Sequence, residues 1–269
     1  MTDKTKKPVK PVMKPFLMGN PTDERTVKSA LGFFGILLLS VFMSFLISSM
    51  LSFDSAILRI ILNALVEGII LLLFYNNASG KGADAVARGE ILYQRQEKGI
   101  AFSKSEQAIC FHPLKGYLVG LLGTLPLLLA ALILAFTTTR QTTGIGVLPG
   151  WTSVYLRRSE VGDALLAYTE VGGLSFMEGL RLAVRILLMP FVAMIGAENR
   201  DGLLILEKLS PLLVLLPAIA YGTGYLEGKR IRTQIHTGIA SANRKRARRE
   251  RKARLARRNQ VPKGPQQLN

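Results

Sequence analysis

The sequence predicts an all-α fold: a polytopic membrane helix bundle of four spans plus one re-entrant or interfacial hydrophobic helix, with five spans as the alternative. Three observations carry that expectation. Hydrophobic side chains make up 49% of the 269 residues and fall in long blocks, a pattern foreign to an ordinary soluble domain. Several blocks approach the ~20 apolar residues that a helix needs to cross a hydrocarbon layer of about 30 Å. The formal charge of +17 gathers between and after the blocks. Such a chain is one membrane domain with basic flanks.

Residues 1–28 carry lysines spaced between prolines (KTKKPVKPVMKP) and show neither a helical nor a strand period, which predicts a disordered basic arm. From 29 to 52 the chain is uncharged and apolar, longer than the ~7 to 15 residues of a signal-peptide core. A retained first span is expected there. Ser40, Ser44, Ser48 and Ser52 recur every fourth residue, a small-residue stripe that lets a neighbouring helix approach and offers hydroxyls across the contact.

Residues 53–55 leave room only for a hairpin, so a second span over 56–75 should lie antiparallel to the first. This second span carries Arg59, Asn63 and Glu67 at four-residue spacing. At ~100° per residue all three share one helix face. Glu67 stands about 12 Å from the end of the run, near the middle of a span. An ionisable group at that depth costs about 2.5 to 3.5 kcal/mol, so it should face a protein interior or a wet cavity and find a partner. Arg59 is about 12 Å away, too far to serve. The expected partner therefore comes from another span, with Ser44 or Ser48 as hydroxyl donors.

Residues 76–115 read as a cytoplasmic loop. It opens on a flexible turn, NNASGKG, and continues as a short surface helix pairing Asp84 with Arg88 and weakened by Gly89. Ser103 and Glu106 have capping-box spacing. Glu90, Glu97 and Glu106 read as solvated charges. Cys110 and His112 lack a second ligand pair, so the expectation is a buried thiol and no metal or other cofactor. A single cysteine also excludes an internal disulfide.

The third span covers 116–136, with Gly116 and Gly120 in the small-xxx-small pattern and Pro126 predicting a kink. Between 137 and 208 basic and acidic residues balance at seven each, and Trp151 and Tyr155 resemble interfacial anchors. The run 182–197 holds only sixteen residues, with Arg185 inside it and Pro190 at its centre, so a half-helix is expected. The last span, 211–227, is given Ser210 as N-cap, Pro211 as its first helical residue and Pro217 as a kink.

Positive charge near span ends marks the cytoplasmic side. The N-terminal arm has seven Lys and Arg, the 76–115 loop six, and the 228–269 tail fourteen against one acid. Four spans put all three segments inside, giving a multi-pass cell-membrane protein with both termini cytoplasmic; a fifth crossing would put the tail outside. The tail's polyanion-binding candidates are Arg244, Lys245, Arg246, Arg248, Arg249, Arg251, Lys252, Arg254, Arg257 and Arg258. Repulsion should keep this stretch open until a polyanion orders it, and anionic lipid headgroups and ribosomal RNA are the two expected partners. No aromatic residue in the tail offers base stacking.

These features lead to two functional expectations. The first is a non-enzymatic accessory, assembly or scaffold protein whose tail contacts lipid or RNA and whose small-residue faces associate with itself or another membrane protein. The alternative is a small ion- or proton-coupled transporter using Glu67, with Arg59, Asn63 and Arg185 as its neighbours. H-E-x-x-H, G-x-S-x-G and P-loop motifs are absent, so no enzyme is expected.

Overall fold

The computed structural model describes residues 13–51, 53–139, 154–155, 158, 161, 176–196 and 199–260, with side chains to 256. Ser52, Trp151, the first twelve residues of the arm and the side chains of Arg257 and Arg258 lie outside that set. Eight helices follow in order among the described residues: α1 Glu24–Met50, α2 Ala56–Glu97, α3 Lys104–Ala108, α4 Lys115–Thr137, α5 Phe176–Leu187, α6 Met189–Ile195, α7 Arg200–Val214 and α8 Leu216–Gln260. No strand occurs among these residues, and four helical stretches are long and apolar enough to cross a membrane. The protein is an all-α polytopic bundle. At most 39% of any apolar window is buried inside it, leaving Leu38, Phe42, Ile61, Leu72 and their neighbours to face hydrocarbon.

Glycines set the packing. α2 and α8 run parallel and form the most extensive contact of the fold. Gly224 lies against the Tyr75 backbone, Gly82 against the Tyr225 carbonyl, and Gly228 against the Gly82 and Ala83 backbone, so a side chain at any of them would collide with main chain. Main chain this close leaves no room for a Cβ. α4 runs antiparallel to α8, with Gly116 and Gly120 on Tyr225 and Ala218, and parallel to α1, with Gly123 on Phe33 and Ala30. Phe33, Phe74, Val119, Tyr221 and Tyr225 fill the core between these four helices.

This pairing has a topological consequence. α1 and α4 begin at the end of the bundle where α2 and α8 leave it, so the N-terminal segment, the 98–114 connection and the basic tail share one end.

Several boundaries differ from the sequence expectation. The expected turn at NNASGKG is helix: α2 runs 42 residues without a break, roughly 63 Å and about twice the hydrocarbon thickness. Gly82 is tolerated because its packing on α8 outweighs its helix cost, while Gly80 is an exposed helical glycine. Gly89 weakens nothing; Leu17 N–H donates to its carbonyl at 3.1 Å, an approach that a Cβ would block. That strap corrects the disordered reading of the arm over 13–23, and α1 already begins at Glu24.

At the other end of the chain, Ser210 and Pro211 do not start a helix. They lie inside α7, which begins ten residues earlier at Arg200, and the break falls at Leu215. Pro217 explains it, since it cannot donate to the Leu213 carbonyl. The expected half-helix 182–197 is two pieces, α5 and α6, separated at Leu188 with Pro190 in the first turn of the second. The tail is helical through Gln260 rather than open. Ser103 and Glu106 do form the capping box, with Ser103 Oγ accepting from Glu106 N at 3.2 Å and Glu106 Oε2 accepting from Ser103 N at 3.0 Å.

Candidate functional site

Four carboxylates organise the interior, and only one of them stood out in the sequence. Glu67 is half-buried on α2 and makes no hydrogen bond or ion pair among the described residues. It lines a cavity of about 30 Å³ with Ser40, Ser44, Leu188, Phe191, Val214 and Pro217. That volume holds one or two waters, not a solute. Among the described residues no neighbouring span supplies the expected partner. Ser40 and Ser44 donate to the carbonyls of Leu37 and Val41 on their own helix, and buried Ser48 Oγ is unsatisfied. Asn63 Nδ2 donates to Arg59 O at 2.9 Å, while Asn63 Oδ1 and Arg59 Nε are buried without partners. The Arg59 guanidinium packs on Gly196 instead of reaching Glu67.

Arg185 also lies elsewhere. Its Nη2 is 2.7 Å from Glu207 Oε1, and Arg181 Nε is 3.1 Å from Glu207 Oε2. Thr138 donates its hydroxyl to the same carboxylate, and Arg181 Nη2 donates to Thr138 Oγ1 at 2.9 Å. Glu207 is only 2% exposed, so this cluster ties α4, α5 and α7 together at the end of the bundle opposite the basic segments. Arg185, expected as a neighbour of Glu67, pairs with Glu207 instead.

Glu90, expected to be solvated, is 4% exposed. Arg232 on α8 donates to its Oε2 from Nε at 3.0 Å and Nη2 at 2.9 Å, and His236 Nε2 lies 2.7 Å from Oε1. Arg232 and His236 are four residues apart and therefore share a helix face. The glycine seam below, Gly224 and Gly228, sets their register. That G-x-x-x-G repeat is the one signal that would have found this pairing from sequence.

The fourth carboxylate, Asp23, caps α1. Asp23 N donates to Thr26 Oγ1 at 2.9 Å, and Thr26 Oγ1 donates to Asp23 Oδ1 at 2.7 Å. Lys115, 8% exposed at the start of α4, donates to Asp23 Oδ2 at 2.7 Å and to Ala108 O at 3.0 Å. Burial raises the Asp23 carboxyl, but the Lys115 and Thr26 hydrogen bonds and the Lys115 charge outweigh it and hold the group below its ordinary value. Cys110 is buried beside this pair, donating Sγ–H to Glu106 O at 3.6 Å; burial pushes its thiol up against the opposing charges of Lys115 and Arg88.

Above the pair opens a polar pocket of about 250 Å³, lined by Asp23, Arg25, Lys81, Asp84, Arg88, Lys115, Tyr221 and Tyr225 among others. Lys81 Nζ sits 5.5 Å from the Tyr221 ring centroid. Phe111 stacks on Tyr225 at 5.4 Å and meets Phe16 edge-on at 6.1 Å.

Beyond His236 the character of α8 changes. From Arg244 to Arg254 every residue is exposed, and the cations there point in all directions around the axis. Among the described residues Arg246 pairs with Glu250, its i+4 neighbour, at 3.4 Å. Comparison with known protein families, with curated proteins and with solved structures finds no match to this chain.

Proposed function

We propose that the protein is a non-enzymatic membrane accessory or assembly factor. It holds a basic helical arm at the cytoplasmic face and offers it to a phosphate-rich polyanion, with ribosomal RNA the preferred partner. The continuity of α8 carries this reading. One helix leaves the bundle locked to α2 by glycines and by the Glu90 clamp, then continues as a basic rod whose residues 241–260 extend for about 30 Å. An amphipathic helix lying on lipid needs an apolar face, and this segment has none: Ala242, Ala247, Ala253, Leu255 and Ala256 are scattered around the axis among the cations. Charge on all sides suits a partner that surrounds the rod. The cytoplasmic orientation is supported by the gathering of all three basic segments at one end of the bundle.

The test uses the full chain in neutral detergent, with ribosomal RNA and with phosphatidylglycerol vesicles as separate probes across a salt series. Wild type should bind RNA with log K falling linearly in log salt at ~0.7 per phosphate contact. Replacing Arg244, Arg248, Arg251 and Arg254 by Gln should flatten the slope by about 3 on that rule. An unchanged slope would remove the arm as the binding element, and vesicle binding without RNA binding would make lipid the partner.

A second reading, an ion-coupled carrier, rests on Glu67 alone, unpaired beside the helix break at Pro217. Proton or cation flux in vesicles that is lost in a well-folded Glu67→Gln variant would put it first; wild type without flux ends it.

A further inference from the structure

The cationic pocket between α1, α2, α4 and α8 plays no part in that reading. Its lining carries Arg25, Lys81, Arg88 and Lys115 against Asp23 and Asp84, a net charge of 4 − 2 = +2. Asp23 is spent on Lys115. Arg25, Lys81 and Arg88 make no ion pair among the described residues, and Asp84, although four residues from Arg88, does not reach it. Tyr221 and Tyr225 are 2% and 6% exposed, line the pocket, and make no hydrogen bond among the described residues. Three unpaired cations and two phenols with free donors thus surround one cavity of about 250 Å³.

The depth of the pocket narrows the ligand. α1 is uncharged from Ser29 onward, α4 from Gly116 onward, α2 from Gly68 up to Gly80, and α8 from its start at Leu216 up to Leu226. On all four helices the pocket residues stand where the uncharged stretch meets the first charges. That level is the boundary of the hydrocarbon, where lipid phosphates lie. Both α1 and α4 also begin here, with the positive ends of their dipoles toward the pocket.

We infer that the pocket is a phosphate site: it binds an anionic phosphate group, supplied by a lipid headgroup or by a soluble phosphate. Lys81 and Arg88 supply the charge, and the Tyr221 and Tyr225 hydroxyls supply neutral donors. The volume admits a phosphate with a glycerol-sized substituent, and Arg25, Lys81 and Arg88 are solvent-exposed.

Thermal melting of the full chain in neutral detergent tests this, with phosphatidylglycerol, phosphatidylcholine, glycerol 1-phosphate and inorganic phosphate as probes. Phosphatidylglycerol or a soluble phosphate should raise the wild-type midpoint saturably, by roughly 5 °C at a hundredfold excess over Kd. Lys81→Gln with Arg88→Gln should lose most of that increment. Lys98→Gln with Lys104→Gln, which removes equal charge from exposed positions outside the pocket, should keep it. An increment with the lipid alone assigns the source to the membrane; one with inorganic or glycerol phosphate assigns it to solution. Equal increments with phosphatidylcholine and phosphatidylglycerol, no increment with any probe, or an undiminished increment in the pocket variant would each overturn the site. Should the double variant fail to fold, Tyr221→Phe and Lys81→Arg replace it: the first should weaken phosphate binding severalfold and the second retain it.

Discussion

Glu67 and Glu90 stand on the same helix, and their surroundings are opposite. Glu67 lies within the apolar half of α2, beside a cavity of about 30 Å³, without a partner among the described residues. Glu90 lies in the polar half and is nearly sealed, with both oxygens occupied by Arg232 and His236. The hydrocarbon layer raises the cost of a charge but brings no partner with it. A neighbouring helix does, provided its register is fixed. On α2 the register comes from glycine contacts with α8, so the buried charge that this fold supports is the one beyond the seam rather than the one in the membrane. The difference teaches that, here, partner supply governs where a carboxylate is sealed.

The seam is the most direct place to break that arrangement, and it should give the largest effect. Gly228→Val would drive a side chain into the Gly82 and Ala83 backbone, which cannot move aside as a side-chain tip would. Little monodisperse protein should be recovered in detergent. Gly80→Ala, where a Cβ meets nothing within 4 Å, should yield a folded protein stabilised by up to ~1 kcal/mol. Equal recovery of the two variants would mean that the α2–α8 contact does not hold the bundle.

Glu90→Gln tests the clamp itself. It strands Arg232 next to His236, and breaking one side of a buried pair costs about 3 to 5 kcal/mol. Thermal melting should show a large drop. Glu90→Leu with Arg232→Met should restore most of it, because apolar replacement of both partners removes the desolvation cost along with the attraction. If Glu90→Gln melts like wild type, the clamp is a surface pair and the contrast with Glu67 disappears.

How much of this was legible follows from what each signal measures. Hydropathy along a single helix found the spans, because a lipid-facing stretch must be apolar whatever packs beside it. It also flagged Glu67, since the cost of a charge in hydrocarbon is local. The partners of Glu90 and Asp23 are more than ninety residues away in the chain, and no pattern within one helix registers them. Gly82 read as a turn residue and Gly89 as a weak point of a helix because glycine signals both a bend and a close approach, and only the neighbouring main chain decides between them. The basic tail was read as open from its charge; along α8 it is helical, in keeping with strong helix formers continuing a helix already nucleated in the bundle.

Asp23 provides an intermediate case, a buried carboxylate whose partner, Lys115, arrives with α4. Its folded value is lowered below 3.8, so the stability it contributes is fully present above that pH and is lost as the pH falls through the folded value. Melting temperatures measured between pH 5 and pH 2 should therefore fall more steeply for wild type than for Asp23→Asn. Parallel curves would show that Lys115 does not stabilise the charged form.

Glu67→Gln should have the smallest effect on stability, and its sign matters more than its size. With no ion pair to lose, the substitution removes only an ionisable group from an apolar setting, and the amide keeps the shape and the hydrogen bonds to any water in the cavity. The melting temperature should stay within a few degrees of wild type or rise, against the large fall expected for Glu90→Gln. A rise means that the bundle tolerates a carboxylate it would be more stable without, which is the signature of a group kept for something other than the fold. A fall comparable to that of Glu90→Gln would mean that Glu67 is held by a partner in the assembled protein, and the two carboxylates of α2 would then obey one rule.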